Sequence, residues 1–113
     1  IGNPASWELA LAARDGSDGH FGAIDDDAIL AAHRILSREV GVFVEPASAI
    51  SIAGLLERSA AGAVPKGARV TCTVTGHGLK DPQWALREPD GSEARPTVAP
   101  VDPAAVAGIL GLV

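Results

Sequence analysis

Arg69-Val70-Thr71-Cys72-Thr73-Val74 runs directly into Thr75-Gly76-His77-Gly78-Leu79-Lys80-Asp81-Pro82. The first six residues read as a strand: Thr71, Thr73 and Thr75 alternate with Val70, Cys72 and Val74, the period of two that places one set on each face of an extended chain. A hydroxyl, Thr75, therefore stands where the strand ends, and two glycines flank His77 just beyond it. In open α/β sheets ligands bind at the carboxyl ends of strands. A glycine there lets backbone approach a ligand closely.

Working outward, Val42-Phe43-Val44 reads as a second strand, short and wholly apolar, the texture of a strand buried in a parallel sheet. Glu45-Pro46 opens a helix whose buried side is marked by Ile52, Leu55, Leu56 and Ala60 and which Gly62 stops. Glutamate is a poor N-cap, with Ser48 as the alternative cap. Local rules of this kind are broken more often at functional sites than elsewhere. Glu45 also follows a strand, so it and Thr75 are expected to face one crevice.

Nearer the N-terminus, Asp25-Asp26-Asp27 suits the positive end of a helix. Ile29, His33, Leu36 and Val40 then mark one helix face, and Gly41 ends it. Asn3 and Pro4 are a capping residue and a first-turn proline for a helix from Pro4 to about Asp15, with Ala5, Leu9, Ala12 and Ala13 at helical spacing. A turn at 16–19 follows, and His20–Ile24 fits either a strand or a loop. Beyond Lys80, Pro89, Gly91, Pro96 and Pro100 make 87–100 an irregular extended segment, and Asp102-Pro103 caps a last helix, Pro103 to Leu110.

The order α, α, β, α, β, α predicts an α/β fold. Two parallel strands cannot cover both faces of a sheet, so the expectation is a three-layer αβα fragment that contributes parallel strands and crossover helices to a larger sheet. The chain starts at Ile1 and reads as a piece of a longer one. Two regions are expected, 1–86 in the main domain and 87–113 as an irregular tail ending in a short helix.

Composition narrows the function. The chain has 113 residues, 47% hydrophobic and 20% charged, as one globular domain would. A net charge of −5 and scattered basic residues argue against nucleic acid. No apolar run has the length of a membrane span and no signal peptide is visible, so no membrane partner and a cytoplasmic location are expected. Cys72 is the only cysteine; it allows no internal disulfide and is expected to fill core space beside Val70 and Val74. One cysteine with three histidines offers no zinc spacing, and Asp25–Asp27 lacks the layout of a calcium loop, so no metal site is expected.

Among candidate groups, Thr75 can exchange a hydrogen bond with a ligand at the strand end. His77 has the chemistry of a general acid or base, but a solvent-facing or structurally bonded histidine fits its glycine-flanked loop better. Lys80, beside Asp81 in a polar loop, reads as an ordinary charged lysine rather than a Schiff-base lysine.

Three stretches resemble threonine synthases, in the family's order: Ile1-Gly2-Asn3-Pro4-Ala5-Ser6-Trp7, Val44-Glu45-Pro46-Ala47-Ser48-Ala49, and Thr75 through Pro82. The resemblance implies a fold-type-II pyridoxal-phosphate enzyme, with residues 1–86 as the C-terminal portion of its cofactor-binding large domain. It implies a lyase of threonine biosynthesis that converts O-phospho-L-homoserine and water into L-threonine and phosphate, by elimination at the γ carbon and hydration at the β carbon, as a homodimer. Thr75 is then the hydroxyl that hydrogen-bonds the pyridine nitrogen of pyridoxal 5'-phosphate, with Gly76 beside it and Glu45 along the ring edge. A neutral hydroxyl, unlike a carboxylate, can bond an unprotonated nitrogen and so restrains the ring as an electron sink. The family's Schiff-base lysine and phosphate-holding glycine loop are not in these residues, so no catalytic residue is assigned and this stretch alone is expected to be inactive. Two other readings stay open: a threonine or serine dehydratase-like enzyme, and a non-catalytic module that binds a small ligand.

Overall fold

The computed structural model describes residues 4–88, 90–95 and 97–113. The described residues form helices α1 (Trp7–Gly16), α2 (Asp26–Ile35), α3 (Pro46–Ala60), α4 (Pro82–Ala85) and α5 (Pro103–Ile109).

Helix α2 starts where its acidic triplet predicts. Asp25 is the N-cap, and its Oδ1 accepts the Ala28 N–H at 2.7 Å. The helix passes into a π turn, Leu36–Val40, which ends at Gly41 in the left-handed region (φ 74°). A π turn advances less per residue than an α turn, so the helical spacing loses phase. The expected face therefore holds through Leu36, whereas Val40 is exposed.

Helix α3 follows Pro46, but its buried face is not the expected one. Ser48, Ala49 and Ala53 are buried, Ile52 and Leu55 are half-buried, and Leu56 and Ala60 face solvent. The reason is close packing against α2 through small residues: Ala32 and Ala49 are both fully buried, and a larger side chain at the contact would hold the helices apart. Ala32, Leu36, Val44, Ala49 and Ala53 make the core, with Ile24, Ile29, Ile52 and Val74 packed against it.

Helix α1 begins at Trp7 rather than Pro4; Asn3, its expected cap, lies outside the described residues. Ser6 takes the cap position without a side-chain hydrogen bond, and no residue of α1 is buried. The segment His20–Ile24 is a loop. Asp102 caps α5 as expected, accepting the Ala105 N–H at 2.8 Å, and α5 ends one residue early.

The expected fold class is overturned. The described residues are 50% helical with 4% strand and form no sheet, so among them there is no three-layer αβα arrangement and no parallel strand pair. The two strand-like segments fail for one physical reason. Alternation gives a chain an extended tendency, but a strand exists only when another strand receives its N–H and C=O groups. Residues 69–74 have no such partner among the described residues. Their recorded contacts are with α3: Ser51 Oγ donates to the Thr73 carbonyl at 3.2 Å, and Cys72 Sγ lies 3.7 Å from the Ser51 carbonyl. Val70 is correspondingly exposed and Cys72 only half-buried. Residues 42–44 supply one antiparallel bridge, Val44 to His77.

The segment after Leu86 is also more ordered than expected. Arg87 and Glu93 form an antiparallel bridge, supported by Glu88 N–H to the Ser92 carbonyl at 2.8 Å and Ala94 N–H to the Leu86 carbonyl at 2.6 Å. Arg38 Nη2 reaches Glu88 Oε2 at 3.0 Å and ties this turn to α2's end. Pro89 and Pro96, part of the expected irregular segment, lie outside the described residues.

Candidate functional site

The single bridge beside α3 builds the site. Glu45 N–H donates to the Gly76 carbonyl at 2.9 Å, and Gly78 N–H donates to the Phe43 carbonyl at 3.3 Å. These two bonds frame Val44 and His77 as a non-hydrogen-bonded antiparallel pair. They lay residues 76–78 across residues 43–45, just where the chain turns into α3. Thr75, Gly76 and Glu45 are thereby brought to one place.

Ser48 joins this turn to the helix. It sits in the first turn of α3 and is buried. Its hydroxyl does not cap the helix; it reaches across 27 residues of sequence. Ser48 Oγ accepts the Gly76 N–H at 2.7 Å and the Thr75 N–H at 3.2 Å, and it lies 3.2 Å from Thr75 Oγ1. Gly76 is buried, while Thr75 is exposed. The backbone of Thr75 is thus held from behind and its side chain is open to a ligand.

Glu45 is the N-cap of α3 by backbone: its carbonyl accepts the Ser48 N–H at 3.0 Å, and its side chain makes no cap. The carboxylate instead lies over the α carbon of Gly76, so closely that a Cβ there would collide with it. The poor capping residue and the glycine are explained together.

Phe43 does the same for the second glycine. Its ring covers the α carbon of Gly78 and leaves no room for a Cβ. The ring meets His77 edge-on, with centroids 5.5 Å apart, and His33 edge-on at 6.1 Å. His33 is buried at 5% exposure, and its Nε2 has no hydrogen-bond partner among the described residues.

His77 is turned to a structural task. Its Nδ1 accepts the Leu79 N–H at 3.1 Å and caps the short 3₁₀ turn Gly78–Lys80. That bond requires Nδ1 to be unprotonated, which removes this nitrogen as a proton donor. Lys80 and Lys66 are exposed, as is His20. No group of three or more His, Cys, Asp or Glu side chains capable of holding a metal occurs among the described residues.

Two residues acquire roles that the sequence did not assign them. Ser48 was a candidate helix cap and Phe43 a strand residue; in both cases the partner lies 27 to 35 residues away, beyond the reach of local pattern.

The sequence pattern of the family described as "Pyridoxal-phosphate dependent enzyme" matches residues 1–76, two thirds of the chain. The chain belongs to the pyridoxal-phosphate-dependent enzyme family. Among curated members, it is 53% identical to the threonine synthase of Mycobacterium bovis over 99% of this chain and 30% of that protein. It is 51% identical to the threonine synthase of Mycobacterium leprae over 100% of this chain and 30% of that protein. It is 47% identical to that of Halalkalibacterium halodurans over 90% of this chain and 28% of that protein. The chain thus spans about 30% of the length of the curated relatives it matches. The matched family region ends at Gly76, so it includes Glu45, Ser48 and Thr75. No helix among the described residues is long and apolar enough to cross a membrane.

Proposed function

We propose that this chain is the C-terminal part of the large domain of a threonine synthase, which converts O-phospho-L-homoserine and water into L-threonine and phosphate. The observation that carries the reading is the 53% identity to the Mycobacterium bovis threonine synthase, in a match that covers 99% of this chain. In this reading residues 1–86 belong to the cofactor-binding domain and 87–113 form its tail. The intact protein is a cytoplasmic homodimer of fold type II, with no nucleic-acid or membrane partner.

The residues present fit one edge of pyridoxal phosphate, the edge that carries the pyridine nitrogen. Thr75 offers an exposed hydroxyl on a backbone anchored by Ser48. A hydroxyl suits a heterocyclic nitrogen, since it can donate to it without imposing a charge. Gly76 leaves the neighbouring backbone flat, and the Glu45 carboxylate occupies the space a Cβ would take. When bound, pyridoxal phosphate supplies an electron sink for carbanion chemistry at the substrate's α carbon. In this assignment Thr75 orients the ring through its nitrogen, Gly76 beside it makes room for the Glu45 carboxylate, and Glu45 lines the ring edge. No residue here is given a covalent role, and residues 1–113 by themselves are expected to be inactive.

The test uses the intact protein that carries this chain. Incubation with O-phospho-L-homoserine should release equimolar phosphate and L-threonine. Deamination of threonine or serine to a keto acid, without phosphate release from O-phospho-L-homoserine, would replace this reading with a dehydratase. No turnover of either substrate, with a small ligand still bound, would replace it with a non-catalytic binding module.

A further inference from the structure

A small cavity of about 110 Å³ lies where the end of α2 meets the turn that follows α4. His33, Arg34, Ser37 and Arg38 line it from α2 and its π turn, and Arg87 and Glu88 from the bridged turn. Phe43 and Trp84 complete the wall. Glu45, Ser48, Thr75 and Gly76 are not among these residues, so the cavity is separate from the site described above. It has room for a few waters or one small ion, and falls well short of the roughly 300 Å³ at which pockets for drug-sized molecules begin.

Charge sets this cavity apart. The chain carries a net −5, yet three guanidinium groups here meet one carboxylate. That carboxylate is committed, with Glu88 Oε2 at 3.0 Å from Arg38 Nη2. Arg34 and Arg87 make no ion pair among the described residues. Arg87 lies over the ring of Trp84, 5.0 Å from its centroid, a position that uses the guanidinium's charge and none of its N–H donors. Basic residues at the end of a helix have an ordinary explanation in the negative pole of the helix dipole. It accounts for Arg34 and Arg38, but not for Arg87, which reaches the cavity from another segment. Nor does it account for His33, buried at 5% exposure with an Nε2 that has no hydrogen-bond partner among the described residues. Buried polar atoms in native folds are nearly always paired, with protein, ordered water or an ion. The Ser37 hydroxyl donates its proton to the His33 carbonyl at 3.0 Å and so adds no donor to the cavity.

We infer that this cavity binds a small oxyanion of the phosphate or sulfate type, held by the guanidinium groups of Arg34, Arg38 and Arg87 with His33 as its buried wall. The planar fork of arginine matches two oxygens of such an anion. Two guanidinium groups without a carboxylate partner balance a dianion, whereas a single carboxylate ligand would leave one of them uncompensated. The site does not depend on the assignment of Thr75. A free inorganic ion and the phosphate group of a small monoester offer the same chemistry.

The experiment uses the intact protein loaded with pyridoxal phosphate and labelled with ¹⁵N in its histidines. Sodium phosphate or sodium sulfate is titrated in at fixed ionic strength, with chloride as the balancing ion. The His33 imidazole signal, identified by its absence from His33→Gln, should shift saturably with either oxyanion. Arg34→Gln and Arg87→Gln should each weaken that response about ten- to hundredfold, the value of a hydrogen bond to a charged group. Arg34→Lys, which keeps the charge and loses the fork, should fall between wild type and Arg34→Gln. Turnover by the intact protein should be unchanged in these variants; its loss together with the response would place the cavity in the reaction's own site and overturn the inference. Where His33→Gln does not fold, melting temperature replaces the signal: phosphate should raise it more in the wild-type protein than in Arg34→Gln. Methyl phosphate separates the sources, since tighter binding than inorganic phosphate assigns the site to a phosphomonoester and equal or weaker binding to the free ion; both outcomes support an oxyanion site. A silent His33, or equal rises in melting temperature for wild type and Arg34→Gln, overturns the inference and leaves the cavity to water or to a carboxylate from elsewhere in the intact protein. A response that chloride reproduces, or that survives both arginine substitutions, overturns it as well.

Discussion

Glu45 and Gly76 hold each other by both backbone and side chain. The Glu45 N–H bonds the Gly76 carbonyl at 2.9 Å, and the Glu45 carboxylate fills the place where a Cβ of residue 76 would stand. Gly76→Ala must therefore move Glu45. The obstacle is the far end of a flexible side chain, so the expected cost is that of an off-rotamer glutamate, about 0.5–1.5 kcal/mol. Thermal unfolding of the intact protein measures it. Adding Glu45→Ala to Gly76→Ala should recover most of the loss; a double variant no better than the single one would show that another group is in the way.

Gly78→Ala should be more damaging. The group it meets is the ring of Phe43, which packs edge-on with His77 and His33 and, as one rigid plane, can clear a Cβ only by turning as a whole. An overpacked contact of this kind costs about 1–3 kcal/mol. Phe43→Leu should relieve part of it, since residues in contact do not contribute independently. Denaturant unfolding of both single variants and the double variant gives the coupling, and strict additivity would contradict the contact.

The small-residue face of α3 makes a separate forecast. Ala49 is fully buried against α2, and Ala32 opposite it is equally buried. Ala49→Leu should destabilise by about 1–3 kcal/mol through overpacking. A neutral or stabilising result in a melting experiment would mean that α2 and α3 do not meet through their alanines.

At the start of α2, Asp25→Ala removes the acceptor of the Ala28 N–H. The expected loss is about 0.5–2 kcal/mol, and Asp25→Ser should restore most of it because serine caps nearly as well. Equal stability of Ala and Ser variants would show that the cap contributes nothing.

One acid should titrate abnormally. The hydroxyl and the backbone N–H of Ser92, at 2.7 and 2.9 Å, hold the Asp90 carboxyl below its ordinary value of 3.8. A folded-state value below the unfolded one means that the turn at 90–92 has its full support above the ordinary carboxylate pKa. That support is lost as pH falls through the depressed value. NMR titration should find Asp90 protonating at lower pH than a free aspartate, and Ser92→Ala should raise its value toward 3.8.

Punctuation of the chain was legible because it depends on neighbours in sequence. Asp25 and Asp102 cap the helices they precede, Pro46 and Pro103 open helices, and Gly41 closes one. The buried faces were less legible. Hydrophobicity pointed to Leu56 and Val40, but a π turn rotated Val40 outward and an alanine contact put Ala49 and Ala53 inside. Strand pattern misled most, for alternation along 69–74 describes a tendency that only a pairing partner can realise.

The residues themselves determined the chemical class: a hydroxyl between a β-branched run and a glycine-flanked histidine, a Glu-Pro-Ala-Ser stretch, and a family pattern running to Gly76. Tertiary structure decided the rest. It set Glu45 over Gly76, turned His77 into a cap for Leu79, and gave Ser48 both amides of Thr75 and Gly76 to accept from. Local pattern cannot supply these contacts, because Ser48 and Thr75 lie 27 positions apart and meet only once the chain has folded.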